Sequence, residues 1–226
     1  MALMTSSGLE PAGATRLSSQ EGYVVVDLET TGFSPAKGDR ICEIALVSLD
    51  SAGETVDEWH SLINPRRRTG AVHVHGITDA MVADAPVIEE VLDEVWRRVA
   101  GRVLVAHNTS FDLRFLRVLP GSHWLTESLC TQRLASGLIP GEKRTLAACC
   151  ERAGIPLSGA HAALVDARAT AELFRFYMTR GVSWRRELDR AAQAPGWHPS
   201  GLPQRPAVRR RPGGVLDPGG APPRLW

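Results

Sequence analysis

The sequence predicts an α/β fold, a mixed five-stranded sheet flanked by helices. Three observations predict it. A run of β-branched residues, Tyr23-Val24-Val25-Val26-Asp27, reads as a buried strand. Two further apolar segments follow it, separated by a turn. Later segments alternate short strands with apolar stripes at helical spacing.

Taken in order, Ile41 to Leu49 and Val56 to Ile63 are strands joined at Ser51-Ala52-Gly53, a hairpin turn. Pro86 suits the first turn of a helix. Ile88, Val91, Leu92, Val95 and Val99 then share one face, with Asp93/Arg97 and Glu94/Arg98 spaced four apart on the other. Arg102 to Ala106 is the fourth strand, followed by a helix over Ser110–Val118. A short strand precedes Cys130, and helices follow over Thr131–Ser136 and Thr145–Ala153. The last long helix runs from Ala162 to Arg180, with Ala163, Ala167, Ala171, Phe174 and Met178 on one stripe.

These elements lie between residues 21 and 190, the expected folded unit. Residues 1–20 are small, polar and aperiodic, and read as a flexible arm. Residues 191–226 hold eight Pro and six Gly, and read as a tail without a packed core. The 226 residues carry 26 Lys and Arg against 25 Asp and Glu. That balance conceals an asymmetry, because Arg175 to Trp226 carry a net +7. An acidic body with a basic tail suits a metal-dependent enzyme acting on a polyanion. A GC-rich coding bias toward Arg, Ala, Gly and Pro produces the same tail. No apolar run reaches the eighteen residues of a membrane span. The start lacks a charged-then-apolar signal pattern, and four cysteines without CxxC spacing point to reduced thiols. A cytoplasmic location is the expectation.

Three segments carry candidate chemistry. Asp27-Leu28-Glu29-Thr30-Thr31-Gly32 ends the first strand, where positions i and i+2 put Asp27 and Glu29 on one face. Two adjacent carboxylates on a core-facing surface need protons or a cation. The plainer reading has Glu29 leaving the strand into water. His107-Asn108-Thr109-Ser110-Phe111-Asp112 follows the fourth strand, where open α/β sheets place ligands, and Thr109 or Ser110 can cap the helix. Asp112 there also suits a helix N-terminus without any function, and His107 reads as a hydrogen-bonded structural histidine. His161-x4-Asp166 opens the last helix after a glycine-containing loop. Its plainer reading is a helix-start histidine and a solvated Asp. Together the three segments supply four carboxylates at strand ends and helix starts. Such oxygen-only donors favour Mg²⁺ or Mn²⁺.

These motifs resemble those of the DEDD-superfamily 3′→5′ exonucleases of the histidine subtype, among them the proofreading epsilon subunit of bacterial DNA polymerase III and its stand-alone homologues. The resemblance covers residues 22–180. It includes Ile41-Cys42-Glu43-Ile44, His75-Gly76-Ile77-Thr78 and the segment Leu146 to Gly154. It implies a ribonuclease H-like fold and hydrolysis from a 3′ end that releases nucleoside 5′-monophosphates. By position, Asp27, Glu29, Asp112 and Asp166 match the ligands of two divalent cations, and His161 matches the general base. Leu28, Thr30, Thr31, His75 and Phe111 match positions around the terminal nucleotide. The implied partner is a single-stranded 3′ end, with a DNA polymerase as a further partner. The arm and the tail have no counterpart in the family, and no sliding-clamp peptide is visible. Rival readings are an exoribonuclease trimming RNA or short oligoribonucleotides, and a non-catalytic nucleic-acid-binding or polymerase-scaffold domain. The complete carboxylate set with His161 argues against the non-catalytic reading.

Overall fold

The first strand, β1 (Tyr23–Thr30), organises the molecule because it is apolar on both faces as far as Asp27. The computed structural model describes residues 22–122, 125, 128–139, 141–159 and 162–180. The arm, the tail and His161 lie outside the described residues. β2 (Ile41–Leu49) and β3 (Thr55–Leu62) form the expected hairpin, and β4 (Val103–Ala106) and β5 (Ser128–Cys130) complete the sheet in the order β3-β2-β1-β4-β5. β1 is antiparallel to β2 and parallel to β4, so the sheet is mixed. The parallel β1 and β4 bring their carboxyl ends to the same end of the sheet.

Side-chain alternation along β1 splits the core in two. Val24, Val26 and Leu28 face a cluster built with α3 (Ile88–Val99) and α4 (Thr109–Leu116). Tyr23 and Val25 face α5 (Thr131–Leu138), α6 (Leu146–Ala153) and above all α7 (Ala163–Thr179). Four of the predicted stripe residues of α7, Ala163, Ala167, Ala171 and Phe174, are buried there. The small alanines bring the helix close to the sheet at its N-terminal end. Phe174 packs edge-on against Tyr23 at 4.7 Å between ring centroids, an arrangement that adds about 0.5–1.5 kcal/mol beyond area burial. Two short helices, α1 (Val72–His75) and α2 (Asp79–Val82), were not foreseen from the sequence.

Three local expectations are corrected. Arg98 is buried rather than on a solvated face: it pairs with Asp57 at 2.8 Å and with Glu94, beneath the Trp59 ring. Arg97 bonds Glu94 at 2.6 Å, an i,i+3 pair, instead of Asp93. The N-cap of α4 is Asn108, in the left-handed region at φ 71, not Thr109 or Ser110. Thr109 turns inward, and its hydroxyl donates to the Leu129 carbonyl at 3.0 Å. Cys42, Cys130, Cys149 and Cys150 are buried and unbridged. No described helix is long and apolar enough to cross a membrane.

Candidate active site

Asp27 and Glu29 remain in β1, on the face that continues Tyr23 and Val25 toward α7. The reading in which Glu29 left the strand is therefore overturned. Asp166 lies in the first turn of α7, one residue before the buried Ala167. Ligand oxygens of Asp27, Glu29 and Asp166 all lie within 4.8 Å of one another. Asp112 reaches the same region from α4, because β4 runs parallel to β1 and delivers the helix start to the carboxyl end of β1. Its carboxylate is 3% exposed and accepts from the Leu28 backbone N–H.

The electrostatics of this cluster are unfavourable without a counter-charge. Burial pushes the Asp27 pKa well above the ordinary carboxylate value, and the charges of Asp112, Glu29, Asp166 and Glu43 push it the same way. Burial likewise raises Asp112, helped by Cys130 and Glu29 and opposed by the Leu28 N–H. At 4.8 Å and an effective dielectric of about 20, each ionised pair repels by about 3.5 kcal/mol. Protons or cations must offset this. The clustered donors are carboxylate oxygens from β1 and α7, crowded and partly accessible, with the buried Asp112 of α4 nearby, which fits hard divalent cations.

Glu43 joins the cluster from β2, directly opposite Glu29 in register. It is 1% exposed, and its Oε2 accepts from the Ala163 backbone N–H at 3.1 Å. Its Oε1 lies 3.9 Å from His60 Nδ1. The residue at the N-cap of α7 is Ala162, which has no side-chain oxygen to offer. Glu43 thus serves as the cap from across the fold, where a negative charge is favoured by the helix dipole. In the sequence it was legible only as part of the Ile41-Cys42-Glu43-Ile44 segment. Its bond to Ala163 joins β2 to the start of α7, which no local pattern connects.

The remaining expected residues divide. Thr30 is buried, and its hydroxyl donates to the Gly32 carbonyl at 2.6 Å. The N–H of Thr31 donates to the Arg40 carbonyl at 2.9 Å, and its hydroxyl accepts from the Arg40 N–H at 3.1 Å. Thr31 therefore shapes the loop after β1, and its N–H is not left for a ligand. Gly32 is required there, since a Cβ would sit 2.5 Å from the Asp39 carboxylate, which is itself held by Ser34 N–H and Arg67. Leu28 points into the core on the sheet face opposite Asp27. Phe111 packs on that same core. His75 is buried, with Nδ1 accepting from Ile77 N–H at 3.0 Å. His107 is structural as expected, bonded to Thr131 Oγ1 at 2.9 Å and Arg144 O at 2.8 Å, and burial lowers its pKa. Phe33 was missed by the sequence reading. It is 79% exposed at the tip of the loop and meets Phe111 edge-on at 6.4 Å. The available signal was an aromatic residue in a glycine turn directly after the carboxylate motif.

Residues 24–174, which contain the described carboxylates and both faces of the sheet, match the Exonuclease (RNase T) family. The chain belongs to this family. It is 43% identical over 164 residues to a DNA polymerase III subunit epsilon-like protein of Rhodobacter capsulatus, covering 67% of this chain and 23% of the relative. It is 38% identical over 158 residues to the PolC-type DNA polymerase III of Thermotoga maritima, covering 67% of this chain and 11% of that relative. The exonuclease chain thus spans less than a quarter of the length of these relatives. Among solved structures, Exonuclease X in complex with 5′-overhanging duplex DNA superposes with a TM-score of 0.61 at 32% identity, covering 75% of this chain and 99% of the other. The ribonuclease H-like fold of the DEDD exonucleases is therefore that of this exonuclease domain.

Proposed function

We propose that the chain is a two-metal 3′→5′ exonuclease that removes nucleotides from the 3′ end of DNA. The observation that carries this is the meeting of Asp27 and Glu29, from the end of β1, with Asp166 of α7. The family and the relatives named as DNA polymerase III proteins support a nucleic-acid substrate and favour DNA.

Asp27, Glu29, Asp112 and Asp166 would hold Mg²⁺ or Mn²⁺. Such ions, when bound, lower the pKa of water and neutralise charge on the leaving oxygen of a phosphodiester. The chain's own residues do the rest. His161 takes the proton from the attacking water on an imidazole nitrogen. The water oxygen bonds to phosphorus as the bond between phosphorus and the 3′ oxygen of the penultimate nucleotide breaks; that oxygen takes a proton from solvent, leaving a nucleoside 5′-monophosphate and a shortened strand with a 3′ hydroxyl. Leu28, Thr30, Thr31, His75 and Phe111 are the proposed surroundings of the terminal nucleotide. Leu28 and Thr31 act through the shape of the strand end and loop rather than by direct bonds. Phe33 adds an exposed ring on which a base can stack. Association with a DNA polymerase is part of the proposal, supported by the names of the relatives.

The test is cleavage of internally labelled single-stranded DNA and RNA during a Mn²⁺ titration, with products resolved by size. Release of mononucleotides that begins at the 3′ end and depends on the metal is expected, faster on DNA. Internal cuts, or no metal-dependent cleavage, would overturn the proposal. Faster loss of RNA would move the substrate class to RNA.

A further inference from the structure

A cleft of about 960 Å³ is walled by the loop that follows β1 and by the end of α4; Ile88, Phe115 and Leu119 of its lining belong to the core on the sheet face opposite Asp27 and Glu29. Its lining is apolar at Ile88, Phe115, Val118 and Leu119, and basic at Arg40, Arg66, Arg67 and Arg114. Arg67 is neutralised by Asp39 at 3.2 Å. Arg40 and Arg114 spend one N–H each on a carbonyl, Asp39 O and Phe33 O, and pair with no carboxylate among the described residues. Against these two and Arg66 stands, among the described residues, one further lining carboxylate, Glu89. Arg66 is held in the left-handed region at φ 52, with its N–H on Asn64 Oδ1 at 2.9 Å. A bulky residue in that conformation needs local support, which Asn64 supplies.

The cleft and the site share two elements, α4 and the loop after β1. α4 carries Asp112 toward the carboxylates, and Arg114 and Phe115 into the cleft. Phe33, Phe111 and Phe115 form a run of rings, with centroids 6.4 Å and 5.4 Å apart. The Arg114 bond to Phe33 O, at 2.9 Å, ties the cleft wall to the loop tip.

An apolar floor with a guanidinium rim fits a ligand that is flat and apolar at one end and anionic at the other. A nucleotide unit has that form: its base lies on apolar or aromatic surface, and its phosphate pairs with Arg. This rests on the exonuclease reading, under which the polymer extends in the 5′ direction from the carboxylates. We propose that the cleft binds a nucleotide of the substrate strand itself, upstream of the bond being cut. The cleft then determines how well a long strand is held, while the carboxylates do the hydrolysis.

Arg66→Glu and Val118→Asp, both at exposed positions, test this without disturbing the core. Each is assayed on a single-stranded 12-mer, on a 12-mer paired to leave a recessed 3′ end, and on the nitrophenyl ester of thymidine 5′-monophosphate. The expected result is a rise of about tenfold in KM for the single strand, with kcat and ester hydrolysis unchanged. Arg66→Ala should also lower the salt dependence of 12-mer binding by about 0.7 in log–log slope, the share of one single-strand phosphate. Wild-type kinetics on the 12-mer from both variants would overturn the proposal while leaving the exonuclease reading intact. An effect confined to the duplex would give the cleft to the second strand and overturn the assignment made here. Failure of the wild-type protein to cleave either the 12-mer or the ester would overturn the exonuclease reading, and this inference with it.

Discussion

Asp27→Asn should make the metal-free protein more stable while abolishing its response to divalent cations. Asn keeps the size of the side chain, so no cavity opens. What changes is charge. Asp27 is held against Glu29 and Asp166 within 4.8 Å, each pair costing about 3.5 kcal/mol when both are ionised. Shared protons already relieve part of that repulsion, since burial and the neighbouring carboxylates raise the Asp27 pKa. The expected net gain is therefore smaller, about 1–3 kcal/mol, or roughly 2–12 °C in Tm for a domain of this size. The assay is thermal unfolding in EDTA and in excess Mn²⁺. Wild type should gain about 2.7 kcal/mol at a cation concentration near one hundred times Kd, and Asp27→Asn close to nothing. The pH dependence supplies a second reading. Because the folded pKa values of Asp27 and Asp112 lie above their unfolded values, the native state binds more protons. Their contribution to the stability of the metal-free protein is fully present below the unfolded value of about 3.9 and is lost as pH rises through the raised folded values. Asp27→Asn should flatten this slope. A variant that melts below wild type in EDTA, yet is still stabilised by Mn²⁺, would refute the reasoning.

Glu43→Ala leaves the Ala163 N–H without its acceptor and should cost about 1–3 kcal/mol, while Glu43→Gln keeps an acceptor oxygen and recovers most of it; because α7 carries Asp166 in its first turn, the Mn²⁺ concentration for half-maximal cleavage should rise only in the Ala variant, and equal values for the two would show that the cap does not bear on the metal site. Phe33→Ala removes an exposed ring, so Tm should stay unchanged while KM for single-stranded DNA rises about five- to a hundredfold, the worth of one stacked base; unchanged KM would leave the ring without a role. His161→Ala should lower turnover by roughly 10²–10⁴ with metal-induced stabilisation intact, and wild-type turnover with chemistry rate-limiting would take His161 out of the mechanism. Deleting residues 191–226 should leave Tm almost unchanged, and a large drop on calorimetry would show that the tail docks on the core.

The element order and the candidate carboxylates were legible in the sequence because both rest on local patterns. β-branched runs marked β1 and β2, and the stripe of Ala163, Ala167, Ala171 and Phe174 marked the buried face of α7. The i, i+2 spacing put Asp27 and Glu29 on one face before any fold was known. What local patterns could not decide was which distant groups meet. That Glu29 stays in the strand depends on its pairing with Glu43 of β2. That Asp166 is a neighbour of Asp27, rather than a solvated helix residue, depends on small alanines letting α7 approach the sheet. Arg98 read as a surface ion pair and proved buried, because Asp57 and Trp59 of β3 close over it. Glu43 gained its role only when the chain brought the uncapped start of α7 to β2. Periodicity and turn chemistry act over a few residues and are written in the sequence, whereas the cancellation of buried charge and the capping of a helix from across the fold are decided by packing in three dimensions.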